Sequence, residues 1–136
     1  MCLYINSAAK VAEEDIICYK MLEECKLEGY PYKSPFIGHP IRAEIMLGLY
    51  PYIGLGEKSI KSKFGEHPFI SEGYIHAYKT LFDAEDMCNY CTKYFENHVR
   101  LFECKIPAGT EYYDGVDRNS ISGYASERIV FVKELF

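Results

Sequence analysis

The stretch Tyr74-Ile75-His76-Ala77-Tyr78-Lys79 sets an imidazole between two phenols at alternate positions. In an extended chain alternate side chains share a side, so Tyr74, His76 and Tyr78 would line one face and Ile75, Ala77 and Lys79 the other. Such a face stacks a heteroaromatic base and offers hydrogen bonds to its edge or to a phosphate. Lys20 and Arg42 are the natural partners for an anionic group. Tyr112 and Tyr113 add two more stacking rings. If the bound molecule were cleaved, His76 would be the acid/base group and Glu127 the carboxylate that orients it. The plainer reading of the Tyr-His-Tyr face is the solvent side of an edge strand.

Other chemistry is less well provided. A cysteine at position 2 becomes an N-terminal nucleophile when Met1 is trimmed and the free α-amine acts as base. Met1 stands in the sequence, and Cys2 is expected to be a buried strand cysteine. Cys88-Asn89-Tyr90-Cys91 is a lone CxxC. Zinc needs four ligands, usually two such pairs, and a redox pair sits at a helix N-terminus, whereas this one falls mid-helix. His39, His67, His76 and His98 form neither HxxxH nor HExxH. Neither a metal nor a cofactor is expected.

Composition bounds the partners. The chain has 136 residues, one domain (1–136) able to bury its own core, and a net charge of −5 that argues against a nucleic-acid polymer. With 13 Tyr, 8 Phe and no Trp, there is material for a tyrosine-lined pocket. A basic stretch followed by an apolar run is missing at the start, and no segment approaches a membrane span. The expectation is a cytoplasmic protein with free thiols and no membrane partner.

The elements that must position these residues follow from periodicity and punctuation. Residues 1–5 and 16–24 read as strands, and 6–15 as a loop or one helical turn. Four prolines and five glycines in 25–57 exclude long helices; within it, 40–47 is extended or one short helix. Residues 74–81 and 99–106 read as strands. Residues 82–98 read as a helix capped by Asp83, with Met87, Cys91, Tyr94 and Phe95 on one face. Residues 111–123 read as loop, and 124–135 as a final strand. The fold class is α+β: a small, mostly antiparallel sheet with one late helix.

This order of parts resembles the ADP-ribosyltransferase-type fold over residues 16–133. "CYKML" would be its first strand, with Lys20 where arginine transferases place Arg. "GYIHAYKTLFDAEDM" would be its middle strand and helix, with His76-Ala77-Tyr78 in place of Ser-Thr-Ser. "LFECKIPAGTEYY" would be the strand and turn, and "YASERIVFV" the late strand, with Glu127 but no Glu-x-Glu. With these signatures altered, the resemblance implies nucleotide binding rather than ADP-ribosyl transfer. The "MCL" start and the "IPxGTxYYxG … YAS" ending are also similar to short proteins of gut bacteria and their phages. That likeness implies an anti-defence role, sequestering a cyclic-nucleotide or NAD-derived messenger in the host cytoplasm. The expectation is therefore a binding module for a small nucleotide-like ligand. The alternatives are a metal-independent enzyme cleaving such a ligand, an altered transferase, and a protein–protein interaction module. Homodimerisation is a further expectation.

Overall fold

The computed structural model describes residues 3–5, 7–35, 38–54, 58–61, 68–95, 98–117 and 119–135. Cys2 and His67 lie outside them. The chain starts with β1 (Leu3–Ile5), β2 (Lys10–Val11) and the long β3 (Ile16–Leu27). Next come β4 (Tyr30–Lys33), β5 (Pro40–Ile41), the four-residue α1 (Ala43–Met46) and β6 (Tyr52–Ile53). β7 (Ser59–Lys61), β8 (Phe69–Glu72) and β9 (Ile75–Tyr78) lead into α2 (Leu81–Cys91). β10 (Val99–Ile106), β11 (Glu111–Val116), β12 (Ser122–Ser126) and β13 (Arg128–Glu134) complete it.

The main sheet runs β6-β13-β10-β3-β9-β12-β11-β1-β8-β7, with β2 paired to β11 and β4 joining β3 to β5. Its pairings are antiparallel, so the fold is the expected α+β class. The spine is β3 against β10, eight registered pairs from Ile16↔Ile106 to Glu23↔Val99. Both sides of β3 are buried over its middle, as a central strand covered on two faces requires, with Lys20 the one charge between Cys18 and Leu22. Cys18 and Leu22 point into one core with Ile75, Ala77, Phe102, Cys104, Tyr124 and Phe131, and Ile41, Ile45 and Tyr52 close over it. Met21 points to the other side, where Ala84, Met87, Cys88 and Cys91 of α2 pack on Tyr78, Val99 and Leu101.

The two halves of the sheet meet at a narrow seam. β9 shares one registered pair with β3, Tyr19↔Tyr78, against four with β12.

Several sequence expectations are corrected. The late helix ends at Cys91 rather than 98 and is capped by Thr80, whose hydroxyl accepts the Asp83 N–H at 3.2 Å. At the other end, the Thr92 hydroxyl turns back to the Cys88 carbonyl at 2.7 Å, a local bond that competes with helix continuation. Tyr94, expected on the buried face, is 68% exposed. Residues 10–11 form a strand, 40–47 contains the short helix α1, and β3 extends to Leu27. The supposed loop 111–123 holds the interior strand β11. Gly115 disguised it: a Cβ there would collide with the Tyr4 carbonyl and the Leu3 side chain, so glycine marks a close strand approach rather than a turn. The final strand is two, broken at Glu127, and its halves lie in different halves of the sheet. No helix among the described residues is long and apolar enough to cross a membrane.

Candidate ligand site

Alternation along β9 is as the sequence suggests, but β9 is an interior strand rather than an edge. Ile75 and Ala77 enter the core shared with Cys18 and Tyr124, leaving His76 and Tyr78 on the α2 side. Tyr78 is buried there against Met21 and α2. Burial, then the nearby Asp117 carboxylate, raises its phenol pKa above the ordinary value. His76 is partly buried, and burial together with the Lys20 charge pushes its imidazole down to about 3, so the ring is neutral. Its Nδ1 and the Oδ2 of Asp117 are buried side-chain atoms without a hydrogen-bond partner. Tyr74 stands before β9; its hydroxyl donates to Glu111 Oε1 at 3.0 Å and its ring meets Tyr113 edge-on at 5.5 Å.

Lys20 occupies the opposite side of the sheet. It shares a side of β3 with Cys18 and Leu22, both fully buried, yet it keeps partial exposure. The cover over this core therefore opens at Lys20. Its amine spans the seam and donates to the His76 carbonyl at 2.8 Å. No carboxylate pairs with it among the described residues. Burial of an ammonium favours the neutral form, and the Lys20 amine is pulled down to about 8. The flanking thiols offer no counter-charge: burial drives Cys18 up to about 12 and Cys104 well above its ordinary value.

Across Ala77 from Lys20 stands Tyr124, registered opposite Ala77 on β12. Its ring meets Tyr112 edge-on at 5.8 Å. Lys79 Nζ lies 5.3 Å from the centre of the Tyr124 ring, a cation–π arrangement. Asp114 ties this edge together, 2.7 Å from Lys10 and 3.3 Å from Lys79. Burial works against the charge on Asp114, but bonds from the two lysines outweigh it and hold its carboxyl below the usual range. Burial and then Asp114 push the Tyr124 hydroxyl up to about 12, keeping it a donor at neutral pH. The ensemble is Lys10, Lys20 and Lys79 around two stacked-edge tyrosines, with Asp114 as its acid. Tyr124 belongs to the buried core and Tyr112 is partly exposed beside it, so the ensemble offers one accessible ring and an excess of positive charge.

The structure thus brings Lys20 and Tyr112 to one side and leaves the other expected residues elsewhere. Tyr74 and Tyr113 pair on the opposite side of β11. Arg42 is exposed ahead of α1. Glu127 lies in the bend between β12 and β13, 3.1 Å from Lys58, which also reaches Glu111 at 3.9 Å. No hydrogen bond or ion pair joins Glu127 to His76 among the described residues. A groove of about 590 Å³ between α2 and the β11–β12 turn, lined by Met87, Tyr90, Lys93, Asn119 and Ile121, contains none of these residues. Volume alone does not define the site; three lysines against one carboxylate, with Lys20 bonded only to a backbone carbonyl, do. Lys10, Lys79, Asp114 and Tyr124 carried no local motif. A usable signal was the exposed-side position of Lys79 opposite His76 in the alternation. No cluster of metal-ligating side chains occurs among the described residues. No protein-family model, curated protein or solved structure matches the chain.

Proposed function

We propose that this protein is a binding module for a nucleotide or nucleotide-derived anion, held over Ala77 between Lys20 and the Tyr112–Tyr124 pair. The observation that carries this reading is Lys20: a partly buried ammonium at an opening in the core's cover, with no carboxylate among the described residues to neutralise it. A buried cation kept without a partner costs stability unless an anion arrives. Phosphate would complete the donor set of Lys20, Lys79 and Lys10 through charge-assisted bonds, and a base would lie on the partly exposed Tyr112 ring. Retention without turnover is what sequestering a messenger requires. The enzyme reading needs an imidazole–carboxylate bond; Glu127 instead faces Lys58, which favours binding over cleavage.

The test is incubation with a panel of NAD, ADP-ribose, ATP and cyclic di- and trinucleotides, followed by filtration, heat release and chromatography of both fractions. A ligand retained and released intact supports the reading. Consumption of a ligand, or retention of none, contradicts it.

A further inference from the structure

The Lys20 amine differs from every other lysine of the site in what surrounds it. Lys10 and Lys79 are held by Asp114 and reach solvent. Lys20 sits at the seam between β3 and β9, flanked on its own side by fully buried Cys18 and Leu22, and fixed by one bond to a backbone carbonyl. An amine in this setting is positioned, and among the described residues no carboxylate pairs with it to hold its proton. Lys79 and Lys10 stand on the same face, beyond Ala77. Lysines become nucleophiles when they are desolvated and lack an acid partner.

We infer that Lys20 forms a reversible imine with phosphate-bearing aldehydes, such as the ring-opened form of a ribose phosphate, at the mouth of the proposed nucleotide site. In this step the amine lone pair attacks the carbonyl carbon and a proton passes from nitrogen to oxygen. Water then leaves and the C=N bond remains; no oxidant or reductant takes part. Lys79 and Lys10 meet the phosphate. The lowered Lys20 pKa supports the step, because a substantial fraction of the amine is unprotonated near pH 8. The inference rests on the proposed anion site but adds a covalent property to it.

The probe is pyridoxal 5′-phosphate, an aromatic aldehyde carrying phosphate, incubated with the whole protein at pH 8 and trapped with borohydride. Peptide mass mapping then locates the adduct. Labelling of Lys20 about tenfold or more above any other lysine is expected, and excess ATP should suppress it. Lys20→Arg, which keeps the charge, should remove that adduct; Lys20→Met, which removes a buried charge, is a second control that should fold and should also lose it. Label spread evenly over surface lysines overturns the inference. Nucleotide retention with no Lys20 adduct overturns the imine alone. A Lys20 adduct indifferent to ATP, with no nucleotide retained, supports the imine and removes the nucleotide reading.

Discussion

The two sides of β11 carry opposite chemistry. On one, Tyr112 and Asp114 join Tyr124, Lys10 and Lys79, and lysines outnumber carboxylates. On the other, Glu111 and Tyr113 join Tyr74, Glu127 and Lys58, and carboxylates outnumber lysines. Tyr112 and Tyr113 look interchangeable in the sequence, yet the period of two sends them to opposite faces. The second cluster is self-sufficient: Lys58 stands over the Tyr74 ring and bridges two neighbouring carboxylates. The first cluster has a positive remainder and lies next to the unneutralised Lys20. An anion therefore has a reason to bind on one side of the sheet and not on the other.

The two sides should also respond to pH in separate windows, each gaining stability as pH rises, and the acid window gives the largest effect. His76, on the α2 side, has an ordinary value of 6.5 and a folded value of about 3. Between those limits the unfolded chain binds a proton that the folded protein refuses, so stability is lost as pH falls, by up to about 5 kcal/mol. Urea titrations at stepped pH should show His76→Leu with a flatter acid limb; an unchanged limb would place the acid sensitivity elsewhere.

Lys20, on the other side, should respond to alkali. Its ordinary value is 10.5 and its folded value about 8. The cost of burying its charge is fully present below pH 8 and fades as pH rises to 10.5, because there the unfolded chain holds a proton the folded one has lost. Lys20→Met should stabilise the protein by about 1–3 kcal/mol at pH 7, read as a higher melting temperature, with the gain gone above pH 10.5. The same variant should weaken nucleotide binding about tenfold to a hundredfold, more at low salt than at high. A variant both less stable and equally tight would break the account.

Ring deletions sharpen the contrast next. Tyr112→Leu should cost about 1–3 kcal/mol of binding if it stacks a base, measured by calorimetry. Tyr113→Leu should leave affinity unchanged and lower only stability. The smallest effect belongs to Lys58→Met: under about 1 kcal/mol of stability, since its ion pairs are half-exposed, and no loss of affinity. Weakened binding in either control would merge the two sides into one site.

How much of this was legible in the sequence depended on locality. Strand 99–106 was read to the residue because its alternation and bounding turn are local. β11 was lost because Gly115 and Asp114 look like turn residues, while the cause of the glycine is Leu3 and Tyr4, more than a hundred residues away. The change of strand at Glu127 has no punctuation to reveal it. For the site, Lys20 and Tyr112 were legible by residue type. Lys79, Tyr124, Asp114 and Lys10 were not, because four separate strand pairings bring them together.

The most direct test of the central claim is side-chain nuclear magnetic resonance with labelled tyrosine and lysine, recorded while ATP or ADP-ribose is titrated in. The account predicts that Tyr112, Tyr124, Lys20 and Lys79 shift together and saturate with one affinity, while Tyr74, Tyr113 and Lys58 stay in place. Shifts confined to Tyr74, Tyr113 and Lys58, or none at all, would contradict it.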